Sequence, residues 1–200
     1  AVARRLATTL GGPDRVTMID TSAAHRALAE AEGFTVVEGS AMDADVLDEA
    51  GAQEASTIVA VTGNDEVNVL AVQLAARRFG IPHLHVALGV DAPTSLVELV
   101  EALDARLLFG RAVDLPEWDV HLEDGSATEV EYPITDVGVV ITERGVPDGQ
   151  ASRMWVLPLA VLTREGQVPF DAKRPLEPGD VVHALGRKSA RSRTRILDHA

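Results

Sequence analysis

The sequence predicts an α/β fold over its first half, a mainly parallel sheet with helices on both faces, followed by a small β-rich (α+β) unit. Three observations predict it. Up to Phe109, short apolar runs of strand length alternate with segments whose apolar residues recur at helical spacing, as expected of parallel strands joined by helices. Gly33, Gly51 and Gly80 follow three of those helical segments, where a left-handed stop is common. From about Gly110, turn signals arrive every eight to twelve residues with short apolar or alternating runs between them, a pattern of antiparallel strands.

Taken in order, residues 1–10 read as a helix ended by Gly11-Gly12-Pro13, and residues 15–20 (RVTMID) as a strand. Ser22 caps a helix that runs through Glu32. Residues 35–38 are the next strand, and Asp43 starts a short helix through Ala50. Residues 58–62 form a third strand, followed by a helix from about Asp65 to Phe79 with Val67, Leu70, Ala71 and Leu74 on one side. Residues 83–88 are a fourth strand, 95–103 a further helix and 106–109 a final short strand. Beyond them, Glu123-Asp124-Gly125, Arg144-Gly145, Pro147-Asp148-Gly149, Arg164-Glu165-Gly166 and Pro178-Gly179-Asp180 separate runs at 137–142, 156–163 and 181–185. The expected domains are therefore 1–109 and 110–200, with no internal repeat.

Composition removes several function classes. The 200 residues are 46% apolar, enough for a real core. Without cysteine there is no disulfide framework, thiolate metal site or cysteine nucleophile. The longest apolar run, residues 154–162, is nine residues with Pro158 inside it, whereas a bilayer span needs about 20. The start does not read as a signal peptide, since Arg4 and Arg5 lie inside a helical pattern. A net charge of -13 opposes phosphate backbones, so no nucleic-acid partner is expected. Arg187, Lys188, Arg191, Arg193 and Arg195 make a basic tail, ordinarily a solvated helix or frayed terminus, with an acidic surface or anionic lipid headgroups as the alternative partner.

In an open parallel sheet, ligands bind beyond the carboxyl ends of the strands. Three such ends carry suggestive groups. Asp20, followed by Thr21, closes RVTMID, where a carboxylate can accept from both ribose hydroxyls and opposes a 2′-phosphate. Gly39-Ser40-Ala41 lets a flat base approach the backbone beside a serine hydroxyl. In Thr62-Gly63-Asn64-Asp65 the glycine removes bulk beside a ligand, and Asp65 is expected to cap the next helix. Each group also has an ordinary reading as a cap or turn; their shared placement at one sheet edge favours a ligand. A dinucleotide fold begins with a strand, GxGxxG and a helix whose amino terminus holds the pyrophosphate. Here the helix is under way at Ala1, with Ala3 at the third-glycine position, so the first strand and first two glycines are expected upstream, the strand lying in the middle of the sheet.

The succession VARRLA…VTMID…GFTVVEGSAMDADVLDEAGAQEASTIVAVTGNDEVN resembles the RCK/KTN (TrkA-N/TrkA-C type) domain, a Rossmann-like cytosolic nucleotide-binding regulator of potassium channels and transporters. The resemblance covers residues 1–109 well. Trp155-Val156-Leu157-Pro158-Leu159 and Leu176-Glu177-Pro178-Gly179-Asp180-Val181-Val182 are similar to the TrkA-C-like accessory domain that follows it. The junction Leu108-Phe109-Gly110-Arg111 looks more like the soluble C-terminal region of bacterial cation/proton antiporters than a stand-alone Trk-type subunit. The resemblance implies a homodimer that binds NAD(H) or an adenine nucleotide (AMP, ADP or ATP) and transmits occupancy to a membrane-embedded cation transporter, from the cytoplasmic side of the membrane. It places Asp20 on ribose, Ser40 and Ala41 near adenine, and Thr62, Gly63 and Asn64 along the ribose-phosphate side. The family often carries an aspartate where this chain has Ser40.

Three rivals remain. An NAD-dependent oxidoreductase needs a proton donor beside the hydride, yet the single tyrosine, Tyr132, has no Tyr-x-x-x-Lys partner and none of the six histidines has a recognisable acid/base setting. No enzyme is expected. His83 and His85 share one face of a strand and could both reach a metal, but no third ligand has matching spacing, so no metal site is expected. A domain that has lost its ligand and serves only as a dimerisation platform is the third.

Overall fold

The computed structural model describes residues 1–135 and 154–188. The run at 137–142, the turns Arg144-Gly145 and Pro147-Asp148-Gly149, and Arg191, Arg193 and Arg195 lie outside the described residues.

The first half alternates as its sequence period dictates: α1 (Val2–Thr9), β1 (Thr17–Asp20), α2 (Ala23–Ala31), β2 (Thr35–Glu38), α3 (Ala44–Glu49), β3 (Thr57–Ala60), α4 (Asp65–Phe79), β4 (His83–Val86), α5 (Thr94–Ala102) and β5 (Arg106–Leu107). Ser22 and Asp43 cap α2 and α3, and the chain leaves α4 through Gly80 at φ 70°. All pairings here are parallel. They fall into two ladders, however: β1 with β2, and β3 with β4 and β5.

Two departures have clear physical causes. The expected apolar face of α4 is rotated by about one position. The buried side chains are Asn68, Val69, Ala71, Val72 and Ala75, whereas Leu70 is 46% exposed. Valines and alanines at 69, 71, 72 and 75 let the helix sit close to β3 and β4, a role the longer Leu70 cannot fill. The strand expected over 106–109 stops at Leu107, because Leu108–Gly110 turns as a short 3-10 segment with Phe109 at φ 64°. Glycine is required at its end: Gly110 sits at φ 70°, and a Cβ there would lie 2.8 Å from Phe170 Cε1.

The second half contains one helix that the sequence reading missed, α6 (Leu115–Glu123). Its signals are present: Asp114 accepts from Glu117 N at 3.0 Å, Pro116 occupies the first turn, and Leu115 and Trp118 turn inward. The remainder is the expected antiparallel sheet, in which β6 (Ala127–Pro133), β7 (Met154–Thr163), β8 (Gly166–Pro169) and β9 (Val181–Lys188) lie in the order β6-β9-β7-β8. Pro158 is accommodated at a bulge between Pro158 and Ala160 where β7 pairs β9. Arg187, grouped with the solvated tail, is instead fixed: it bonds Glu117 Oε1 at 2.7 Å, contacts His121 and lies 5.2 Å over the Trp118 ring.

Separate cores stabilise the two halves and join them. One packs α3, α4 and α5 on β3 and β4 through Leu47, Val69, Val72, Val86 and Val100. Each such aliphatic side chain, fully buried, contributes about 1.5–3 kcal/mol. A second gathers Val2 and Leu6 of α1, Leu108, Phe109, Trp118, Leu157, Leu159 and Leu185, so the accessory sheet packs against α1 and the end of the parallel ladder. Among the described residues no helix is long and apolar enough to cross a membrane.

Candidate functional site

At the carboxyl end of the first ladder, Asp20 and Glu38 are register partners, and Gly39 N donates to Asp20 O at 3.4 Å, so the Gly39-Ser40-Ala41 turn lies directly beside Asp20 and Thr21. The Asp20 carboxylate is partly engaged. Its Oδ1 accepts from Ser22 N at 2.8 Å, its Oδ2 lies 3.3 Å from His25 Nδ1, and its side chain remains 34% exposed. It thus performs the ordinary turn role, with about a third of the side chain still open to solvent. Arg26, which sequence reasoning passed over, braces this end: Nη1 donates to Thr21 O at 3.0 Å and to Asp20 O at 3.4 Å, and Nη2 pairs Glu38 Oε1 at 2.9 Å. An arginine one turn into the helix after an acidic strand end was the available signal. Gly39 sits at φ 151° with Val46 Cγ2 only 2.6 Å from where a Cβ would be, so the turn demands glycine. Ser40 Oγ accepts from Met42 N at 3.2 Å, and Ala41 packs against the α4 core.

At the end of β3, Thr62, Gly63 and Asn64 are exposed. Asn64, not Asp65, is the cap of α4, its Oδ1 accepting from Val67 N at 2.9 Å. Asp65 is the first helical residue, and its Oδ1 accepts from Gly89 N at 2.8 Å; a one-residue shift moved the carboxylate from the cap to the next loop. Gly63 is unlike Gly39. Its backbone is not left-handed, and nothing lies within 4 Å of a Cβ built there. The fold therefore makes no demand for glycine at 63, and the space beside it is open. Beneath the loop, Asn68 is fully buried, accepting from Thr62 N at 2.8 Å and donating to Thr62 O and Ala87 O, each at 3.0 Å.

The eight residues expected at the site thus fall into two groups. Asp20, Thr21, Ser40 and Ala41 lie together at the end of the β1–β2 ladder, and Thr62, Gly63, Asn64 and Asp65 at the end of the β3–β5 ladder. Ile19 and Ala41 pack against the same core as Ala60 and Val69, which anchors both groups to one body. The amino terminus of α1, the expected seat of pyrophosphate, faces a carboxylate: Val2 N donates to Asp119 Oδ1 at 2.7 Å. α4 begins with Asp65 and Glu66, which already complement the positive end of its dipole.

His83 is exposed and His85 is buried on β4. Burial lowers the His85 pKa to about 4, against the raising effect of Asp171, so its ring is neutral near pH 7. Among the described residues no three His, Cys, Asp or Glu side chains gather to hold a metal ion.

Residues 1–108 match the model of the TrkA-N domain. The chain belongs to the TrkA-N domain family. Among similar proteins, the Trk system potassium uptake protein TrkA of Vibrio alginolyticus is 42% identical over 75 residues, 37% of this chain and 16% of that protein. The protein of the same description from Haemophilus influenzae (strain ATCC 51907 / DSM 11121 / KW20 / Rd) is 37% identical over 68 residues, 34% of this chain and 15% of that protein. The TrkA-N chain thus matches only about a sixth of the length of these relatives. Similar solved structures include the GsuK RCK domain, with a TM-score of 0.33, 14% identity and coverage of 89% of this chain and 44% of that one. The GsuK channel bound to NAD gives a TM-score of 0.38 and 16% identity, covering 94% of this chain and 35% of that chain.

Proposed function

We propose that this TrkA-N domain is a regulatory nucleotide-binding module that takes NAD(H), or an adenine nucleotide, across the carboxyl ends of its parallel strands. Asp20 accepts from the ribose hydroxyls, Ser40 and Ala41 border the adenine, and the 62–64 loop follows the ribose-phosphate side. The observation that carries this reading is the loop itself: Thr62, Gly63 and Asn64 are exposed around a glycine that the fold does not require. Family membership and the partial exposure of the Asp20 side chain support it. The domain binds and does not turn over its ligand. It acts as a homodimer on the cytoplasmic side of the membrane, attached to a monovalent-cation transporter such as a cation/proton antiporter. The transporter responds because the nucleotide binds two arrangements of the dimer with unequal affinity; equal affinity would shift nothing, however tight the binding.

Equilibrium titration with NADH, NAD, AMP, ADP and ATP, with product analysis after incubation with hydroxy acids and aldehydes, tests the reading. Saturable binding without turnover supports it, and turnover would make the protein an oxidoreductase. Absence of binding would favour a second reading, a dimerisation platform that has lost its ligand.

A further inference from the structure

Asn68 is an anomaly on its helix. The inward face of α4 is otherwise apolar, with Val69, Ala71, Val72 and Ala75 all at 1% exposure or less, and Asn68 in that row is wholly buried. Its amide is fully employed. Oδ1 accepts from Thr62 N at 2.8 Å and lies 2.7 Å from Thr62 Oγ1, while Nδ2 donates to Thr62 O and to Ala87 O. Three of those four bonds go to one residue, and that residue opens the exposed loop. No other side chain meets these demands. Aspartate has no donors, serine reaches too short, glutamine carries one methylene too many, and leucine would leave the buried Ala87 carbonyl and the half-buried Thr62 N–H and carbonyl without these partners.

We propose that Asn68 is the positioning residue for the nucleotide loop: it fixes both the backbone and the hydroxyl of Thr62 before ligand arrives, so that binding does not have to order residues 62–64. The proposal rests on the reading that this loop touches the nucleotide. Thr62 Oγ1 also accepts from Asn64 N at 3.2 Å, so the position set at Thr62 passes to the next exposed amide but one. The bond to Ala87 O adds a second anchor on the segment after β4, which holds the loop to the sheet rather than to α4 alone.

The test uses the intact protein, NADH as the probe, and the variants Asn68→Ser, Thr62→Val and their combination. The expected result is a loss of NADH affinity of about tenfold or more in Asn68→Ser, at an unchanged circular dichroism spectrum, with Thr62→Val adding little on top, because both changes remove one linked unit. A folded Asn68→Ser that binds NADH as the parent does, or losses that multiply, would overturn the positioning role and leave the nucleotide reading intact. If the parent binds neither NADH nor NAD, AMP, ADP or ATP, that reading falls and the proposal falls with it; where an adenine nucleotide binds in place of NADH, the same variants are titrated with it. A measurement that needs no variant covers the case in which Asn68→Ser does not fold. Amide hydrogen exchange at Thr62 should be slow before NADH is added; fast exchange that only NADH slows would show that Asn68 does not preset the loop.

Discussion

The carboxylate of Asp65 accepts a hydrogen bond from the backbone amide of Gly89 at 2.8 Å, and thereby ties the start of α4 to the loop after β4. This is a half-buried, charge-assisted bond between segments 24 residues apart. Asp65→Ala should lower unfolding stability by about 1–2 kcal/mol, read as a shift in urea midpoint at unchanged m-value. Asp65→Asn, which keeps an acceptor, should recover part of the loss.

Two glycines at the strand ends should respond oppositely to alanine. At Gly63 the backbone is unstrained and no atom lies within 4 Å of a new Cβ, so Gly63→Ala should leave stability unchanged or raise it by about 0.4–1 kcal/mol through the unfolded chain, while weakening nucleotide binding. At Gly39, φ 151° and the 2.6 Å approach of Val46 Cγ2 make alanine costly, on the order of 1–3 kcal/mol. Thermal melts paired with NADH titrations separate the two cases.

Asp20 serves the turn through Oδ1, while Oδ2 lies 3.3 Å from His25 Nδ1 and the side chain as a whole is 34% exposed. Asp20→Ala should weaken nucleotide affinity by about 1–3 kcal/mol and lower stability by a smaller amount through the lost bond to Ser22 N. Asp20→Asn should keep the turn and lose affinity alone. Equal affinity across aspartate, asparagine and alanine would remove Asp20 from the ribose.

His85 makes stability depend on pH. Its folded pKa, about 4, lies below the unfolded value of 6.5 because burial disfavours the charged ring. Between those values the unfolded chain binds more protons, so stability rises with pH there: it is present in full above about pH 6.5 and is lost as pH falls towards 4. The loss reaches about 3 kcal/mol at about 1.4 kcal/mol per pH unit. Urea unfolding at stepped pH should show this slope in the parent, and His85→Leu should flatten it.

Much of the fold was legible because its signals are local. The bounds of β2 and α4 follow from a β-branched run and from a polar amino-terminal turn closed by Gly80. What escaped depends on tertiary packing. Leu70 leaves the expected face because two apolar registers, 67-70-71-74 and 69-72-75, coexist on α4, and only contact with β3 and β4 decides between them. The capping signal for α6 at Asp114-Leu115-Pro116-Glu117 was present but lay among turn signals. At the site, the residue types at the strand ends were readable, and Arg26 left a signal that was passed over; the support beneath the second loop, Asn68, was not readable, because a side chain that serves another segment leaves no periodic mark.

The central claim is tested most directly by following backbone amide resonances while NADH is added to the intact protein. The account predicts saturable shifts at Thr21, Ser40, Gly63 and Asn64 with one common affinity, as both strand ends close on one ligand. Shifts confined to one ladder, or absent from both while NADH binds elsewhere, would contradict it.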